Sequence, residues 1–304
     1  MKLLQDLCSV RSVSGDELPI RNFLIEYVNQ ESINWKTKPT LLYGDHLQDC
    51  LVLVFGKPRT AIFAHIDTIG YTVGYGRNLI KVGGPATRDG FRLWGKDSKG
   101  EIDCKIVIHP ENNLPYHDFH REIDRGTCLS FYPDFRETKQ FVQSCYMDNR
   151  LGIYNALRVA ETLQDGLIVF SCYEEHGGGT VGFLANLMVN KYNVHQALIS
   201  DITWVTDGVQ HGKGTAISMR DSGIPRKVFL NKIIDLAKES NVPFQLEVES
   251  AGGSDGSELQ KSPYPIDWCF IGAPENFVHT PDEKLHKSDI KSMINLYQFL
   301  MEKL

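Results

Sequence analysis

Residues 167–179 read LIVFSCYEEHGGG, and the interpretation of the whole chain starts from this stretch. Its apolar first part predicts a buried strand, and residues 181–189 after it predict a helix. The carboxylates of Glu174 and Glu175 therefore follow a buried strand, at the edge where open α/β sheets bind ligands. Because buried carboxylates are costly without a cationic partner, the pair predicts either a protein base or a metal ion beside it.

Strands and helices alternate through most of the sequence. Apolar runs predict further strands at 51–55, 60–64, 197–200, 244–248 and 268–271. The spacing of apolar residues predicts helices after Leu18 and at 151–163, 228–240 and 290–304. Ser14 and Glu17 have the spacing of a capping box before the first helix. This order predicts an α/β fold with a mainly parallel sheet and helices on both sides, a three-layer αβα arrangement.

The region between residues 70 and 142 has a different pattern. Short strand-like runs alternate there with Gly, Asn, Asp and Pro, and no long helical pattern occurs. We therefore expect a small β-barrel-like domain at 70–142, inserted into a main domain formed by 1–69 and 143–304. Within it, residues 109–124 predict a long loop that carries His109, His117 and His120 at the surface.

Composition excludes several classes of protein. The net charge of −6 argues against a nucleic-acid partner, which would favour a basic surface. No stretch reaches the 18 or more apolar residues that a membrane span needs, so we expect no membrane partner. The seven cysteines are scattered without CxxC spacing, which favours a reducing compartment over a disulfide framework. Since Asp6 also stands where a signal peptide would have its apolar segment, we expect a cytoplasmic protein.

Five potential metal ligands occupy related positions. His65, Glu175 and Asp201 each come at or just after the end of a predicted strand, and His279 lies in the loop after another. Asp148 precedes a predicted helix, whose N-terminus favours an ionised carboxylate. Because the carboxyl ends of parallel strands meet at one edge of a sheet, these side chains can converge.

The donor set suits two divalent metal ions. Two neutral imidazoles and three carboxylates carry a charge of −3 against the +4 of two ions, and such a pair can lower the pKa of a bound water to about 7. Glu174 is not one of the five ligands, so it can act as the general base. Asp67 could hydrogen-bond the free nitrogen of His65, so we count it with Glu174 as a catalytic candidate. Oxygen and nitrogen donors suit zinc, with cobalt or manganese as alternatives.

Each of these residues also has an ordinary structural role. A lone histidine at a strand end is more often hydrogen-bonded than metal-bound, and adjacent glutamates are more often solvated than buried. Asp148 could be only a helix cap, and Asp201 only a turn residue. The segment 252–256 favours a flexible turn over an anion-binding loop. Only the joint occurrence of the five ligands and their order favours a metal site.

The candidate ligands, with the residues next to them, resemble the motifs of the glutamyl-aminopeptidase and tetrahedral-aminopeptidase family of metallo-aminopeptidases. The motifs that carry the resemblance occur in order along essentially the whole chain: His65-Ile66-Asp67, Asp148-Asn149-Arg150, Glu174-Glu175, Asp201-Ile202-Thr203 and His279-Thr280, supported by Ser14-Gly15-Asp16-Glu17, Gly212-Lys213-Gly214 and Gly252-Gly253-Ser254-Asp255-Gly256. The chain differs from the family pattern at Asn149, His176 and Asn276.

The resemblance implies a zinc-exopeptidase-like fold and a division of the ligands between two ions. One ion would be held by His65, Asp148 and Asp201, and the other by Asp148, Glu175 and His279, with Glu174 as general base. The resemblance also implies a homo-oligomer, a hollow tetrahedral dodecamer, in which the 109–124 loop can reach a neighbouring active site.

We therefore expect an aminopeptidase that removes N-terminal residues from short peptides through a bridging hydroxide. Two alternatives stay open. A related metal-dependent amidohydrolase would act on N-acyl amino acids or blocked peptides, as the residues Glu275 and Asn276 suggest. A non-catalytic paralogue would retain the site for stability alone, although such a protein would have no need of Glu174.

Overall fold

The computed structural model describes residues 1–304. The helices are α1 (Lys2–Cys8), α2 (Leu18–Glu31), α3 (Met147–Ala160), α4 (Val181–Tyr192), α5 (Lys227–Ser240), α6 (Asp255–Lys261) and α7 (Lys287–Lys303). The strands are β1 (Thr40–Leu42), β2 (Leu51–Phe55), β3 (Ala61–His65), β4 (Gly70–Val73), β5 (Leu79–Val82), β6 (Arg92–Asp97), β7 (Gly100–Ile108), β8 (Pro115–His117), β9 (Cys128–Phe131), β10 (Arg136–Glu137), β11 (Phe141–Ser144), β12 (Gly166–Ser171), β13 (Gln196–Trp204), β14 (Thr215–Arg220), β15 (Phe244–Val248), β16 (Asp267–Asn276) and β17 (Glu283–His286).

An 11-stranded sheet forms the body of the protein. Its main order is β1-β2-β12-β3-β13-β16-β17-β11-β10, and β14 with β15 branches from β16. The four central strands β12, β3, β13 and β16 are parallel, whereas the strands that flank them pair antiparallel. All side chains of β3 and β12 are buried, as expected for parallel strands covered on both faces. The parallel centre therefore brings the carboxyl ends of four strands to one edge.

A second sheet of six antiparallel strands lies within the 70–142 region. Its order is β5-β4-β9-β6-β7-β8, and an isolated bridge between Asn78 and Tyr116 connects its two edges. The sheet is therefore nearly closed, like a barrel. Its buried residues, among them Tyr71, Leu93 and Phe131, form a hydrophobic core separate from that of the large sheet.

Two sets of helices cover the large sheet. In one set α1 contacts α3, α3 contacts α7 and α7 contacts α5, while in the other α4 contacts α6. The predicted three-layer α/β fold is confirmed, although the antiparallel strands at both sides of the sheet were not predicted. None of the helices combines the length and the hydropathy needed to cross a membrane. The seven cysteines are all free.

Three local predictions were wrong. Ser14 does not cap α2, because its hydroxyl donates to Asp67 Oδ2 at 2.6 Å, and Glu17 instead accepts from the backbone of Gly15. His117 is buried in β8 and is not a surface loop residue. Strand β16 continues through Pro274, which was predicted to lie beyond its end.

Candidate metal centre

The parallel strands deliver five of the predicted site residues to one edge of the sheet. His65 is the last residue of β3, and Glu174 and Glu175 form a short 3-10 turn directly after β12. Asp201 lies within β13, which is longer than the sequence predicted. His279 follows β16 and has a left-handed backbone with φ of 64°. The sheet itself therefore sets the distances between these side chains.

Asp148 joins the site from the turn that begins α3, where its own backbone is not helical (φ −79°, ψ 103°). Its Oδ1 lies 3.2 Å from His65 Nε2, and its Oδ2 lies 3.3 Å from His279 Nε2. The two oxygens of one carboxylate thus face two different imidazoles. Arg150, two residues later, is fully buried and donates to backbone oxygens of Leu7 and Ile66, which fixes this turn against the end of β3.

The five predicted ligands fall into two groups that share Asp148. His65, Asp148 and Asp201 form one group, and Asp148, Glu175 and His279 form the other. Within each group the potential ligand atoms lie within 4.8 Å of one another. Glu174 belongs to neither group, but its Oε2 lies 3.8 Å from His65 Nε2 at the wall of the same cavity. These groups match the division that the family resemblance implies.

Asp67 holds several parts of this centre. Its Oδ1 lies 3.4 Å from His65 Nδ1, so the other ring nitrogen, Nε2, points to Asp148. The Asp67 carboxylate also accepts hydrogen bonds from the backbone N–H groups of Glu174 and Glu175, each at 3.1 Å. Asp67 is completely buried and does not line the cavity. We therefore regard it as a residue that positions the catalytic groups rather than one that contacts substrate.

Three buried acidic residues near the centre were not predicted. Glu283 accepts hydrogen bonds from the backbone N–H groups of His279 at 2.8 Å and of Asp148 at 3.3 Å. It therefore fixes Asp148, which both ligand groups share, and His279, which belongs to the second group. Asp255, within the quoted 252–256 motif, accepts from Ser171 Oγ. Glu275 is buried and neither of its carboxyl oxygens has a hydrogen-bond partner. Asp255 lies in a quoted motif and Glu275 was noted only for its possible effect on the substrate, whereas Glu283 resembles an ordinary charged strand residue.

The buried carboxylates of the centre carry more negative charge than the neighbouring neutral imidazoles can balance. Burial raises the pKa of Glu174 and of Asp201 well above the ordinary range, and neighbouring carboxylates raise both further. Burial alone would lower the pKa of His279, but Asp148 and Glu175 raise it to about 12. Protein cations other than histidine do not line the cavity. A site in which imidazoles must take up protons to offset carboxylates is suited to divalent cations.

The donor atoms fit metal ions as well. Glu175 Oε1 is buried and has no hydrogen-bond partner, which leaves a lone pair free beside His279 and Asp148. All donors are imidazole nitrogens or carboxylate oxygens, a set that binds zinc, cobalt and manganese without thiolate. The residues present therefore fit a pair of metal ions, with Asp148 placed to contact both.

Replacement of Asp67 by Asn is expected to weaken metal binding roughly 10–100-fold, the usual effect of losing a carboxylate behind a ligating histidine. The amide cannot accept from the backbone of both Glu174 and Glu175 while it also orients His65. Competition with a chromophoric chelator measures the change. Asp16→Asn, an exposed neighbour with the same change of chemistry, serves as the control. Equal affinities of the two variants would contradict the positioning role of Asp67.

Several known proteins are similar to this chain over most of its length. A curated protein of Acetivibrio thermocellus named "Putative aminopeptidase" is 26% identical over 330 residues, which cover 97% of this chain and 96% of that protein. The structure of an aminopeptidase from the archaeon Desulfurococcus kamchatkensis matches with a TM-score of 0.88 at 19% identity, covering 100% of this chain and 94% of the other. A TET1 peptidase of Pyrococcus horikoshii, which can assemble into a tetrahedron or a large octahedral shell, matches with a TM-score of 0.84 at 21% identity over 100% and 99% of the two chains.

The two structural matches show the fold, and a family model identifies the family. That model, described as M42 glutamyl aminopeptidase, matches residues 117–296, which is more than half of the chain. The match includes four of the five potential ligands and both adjacent glutamates. The resemblance seen in the sequence is thereby confirmed: the chain belongs to the M42 glutamyl aminopeptidase family and is a metal-dependent hydrolase that acts as an exopeptidase.

Proposed function

We propose that this enzyme removes N-terminal residues from short peptides at a centre of two divalent metal ions, with Glu174 as the general base. The observation that supports it most directly is the pair of ligand groups that share Asp148. His65, Asp148 and Asp201 would hold one ion, and Asp148, Glu175 and His279 the other. The donor set favours zinc, with cobalt or manganese as alternatives. When bound, the two ions would polarise the scissile carbonyl and acidify the attacking water.

Glu174 has the properties of a base at such a centre. Its side chain lines the cavity beside His65, and it is not needed as a ligand in either group. Asp67 holds its backbone, and so limits the directions in which the carboxylate can move. Glu174 would take a proton from the attacking water and deliver it to the nitrogen of the leaving group.

The charges that line the cavity favour a peptide substrate with a free amino terminus and disfavour an N-acyl amino acid. An N-acyl amino acid carries a free carboxylate, and neither lysine nor arginine lines the cavity to receive it. The two residues that suggested this alternative do not line the cavity. Glu275 is buried in β16, and Asn276 Oδ1 lies 2.7 Å from His211 Nε2. A free amino group carries the charge that an acidic cavity attracts.

The proposal extends to assembly and location. Structural relatives include a peptidase that forms tetrahedral and octahedral shells, and on that basis we propose a homo-oligomer built on a similar plan, in which the 70–142 region contributes to assembly or substrate access. We also propose that the enzyme acts in the cytoplasm, where short peptides are produced.

Removal of metal is expected to abolish release of amino acids from short peptides, because the carboxylates alone cannot polarise the scissile carbonyl. The measurement compares chelator-treated protein with the same sample after return of zinc, cobalt or manganese. A peptide with an acetylated N-terminus is the matched control substrate, and we expect it to be cleaved at least roughly 100-fold more slowly, because the site would lose its charged partner. Undiminished cleavage after metal removal, or preference for the acetylated peptide, would contradict the proposed function.

A further inference from the structure

The cavity that contains the candidate metal centre continues to a second acidic end. It has a volume of about 480 Å³, and the groups around Asp148 occupy only part of its wall. Away from them the wall includes Asp221, Glu247 and Glu249, with Trp204 beside them. This end lies where β14 and β15 finish side by side, outside both ligand groups. Its carboxylates therefore have no assigned task at the metal centre.

Glu247 is the most informative member of this group. Its residue surface is 3% exposed, although it still forms part of the cavity wall. Thr203 Oγ1 donates to one carboxylate oxygen, and Ser218 lies opposite on β14, but hydroxyl groups cannot neutralise a charge. No lysine, arginine or histidine forms an ion pair with Glu247 in the described chain. A buried carboxylate without a cation is costly, which points to a cation supplied from outside.

The neighbours of Glu247 strengthen this requirement. Burial raises the pKa of Glu247, and the carboxylates of Asp221 and Glu249, which line the same cavity, raise it further. The adjacent basic residue, Arg220, donates to the backbone oxygen of Asp221 at 3.1 Å and is not part of the cavity wall. The charged side chains that line this end of the cavity are therefore all acidic.

Trp204 adds an apolar surface to the same end. Its side chain is 40% exposed and lines the cavity together with Gly252, where an added Cβ would lie 3.6 Å from the indole ring. An indole can cover the aliphatic stem of a long side chain and also attract a cation above its face. The combination of an aromatic wall and buried carboxylates suits a side chain that is apolar along its length and positive at its tip.

We propose that this end of the cavity receives the side chain of the substrate's N-terminal residue and selects lysine or arginine, with Glu247 and Glu249 as the specificity-determining carboxylates. The inference rests on the proposed aminopeptidase function and concerns only its substrate class. A glutamyl side chain, which the family description names, would meet like charges here and find no cation to pair with.

A panel of aminoacyl-coumarin substrates tests this inference on the metal-loaded enzyme. We expect kcat/KM for the Lys and Arg substrates to exceed that for Leu at least roughly tenfold and that for Glu roughly 100-fold or more. Glu247→Gln keeps the shape of the side chain and an acceptor for Thr203, and it should reduce the ratio of Lys to Leu roughly tenfold or more. Glu249→Gln, at a more exposed position, should reduce the same ratio. Asp235→Asn removes an exposed charge on α5 and should leave the ratio unchanged.

A binding measurement separates this inference from the proposed function. In the Glu174→Gln variant, calorimetric titration with the tripeptides Lys-Ala-Ala and Glu-Ala-Ala reports the preference without turnover. Tighter binding of Lys-Ala-Ala, with the preference lost on addition of Glu247→Gln, would support the inference even if no substrate were cleaved. Equal or stronger binding or cleavage of the Glu series, or a Lys-to-Leu ratio that Glu247→Gln and Glu249→Gln leave intact, would overturn it. If Leu substrates were still cleaved in that case, the proposed aminopeptidase function would stand although the inferred specificity would not.

Discussion

Glu174→Gln is expected to lower kcat by roughly 10²–10⁴-fold, the range that a general base contributes, while both metal ions stay bound. Gln has nearly the same shape as Glu but cannot take a proton from the attacking water. Because Glu174 lies outside both ligand groups, the change removes the proton transfer without removing a ligand. The measurement pairs steady-state kinetics with metal analysis of the same sample.

The control for this prediction is Glu302→Gln, the same substitution at an exposed position of α7. It should leave kcat, KM and metal content as in the unchanged enzyme. If Glu174→Gln retained full activity with its metal complement intact, another group would have to act as the base. Loss of metal together with activity would instead place Glu174 among the ligands.

Asp148→Asn is expected to have a still larger effect, since it removes an anionic donor from both ligand groups at once. The two carboxylate oxygens face His65 and His279 at 3.2 and 3.3 Å, and an amide supplies only one neutral oxygen. We expect metal affinity to fall by more than the roughly 10–100-fold caused by losing an outer hydrogen-bond partner, and activity to fall with it.

Single-site variants supply the comparison. Asp201→Asn should weaken the group that contains His65, and Glu175→Gln should weaken the group that contains His279. Metal titration should therefore show one weakened site in each of these variants and two in Asp148→Asn. Retention of two tightly bound ions by Asp148→Asn would exclude the shared ligand.

The positions of the site residues could be predicted because they depend on a simple property of parallel sheets. His65 and Glu175 end or follow strands whose apolar runs are plain in the sequence, and parallel pairing brings those ends together. Asp148 was harder, because its place depends on how α3 packs rather than on a strand. Its selection relied on the charge preference of a helix N-terminus and on the family resemblance.

The parts that could not be predicted depend on contacts between distant residues. Glu283 holds the backbones of Asp148 and His279, yet nothing in its local sequence distinguishes it from a surface residue of an edge strand. Ser14 has the spacing of a helix cap but donates to Asp67, 53 residues away. The antiparallel flanks of the large sheet likewise depend on long-range pairing, which periodicity does not report.

The most direct test of the account is anomalous diffraction from crystals of the metal-loaded enzyme, recorded on both sides of the absorption edge of the bound metal. Two peaks are expected on the two sides of the Asp148 carboxylate, one within ligand distance of His65 and Asp201 and the other of Glu175 and His279. If neither peak lay beside Asp148, or if the peaks lay next to other side chains, the claim that Asp148 is shared by two metal sites would be contradicted.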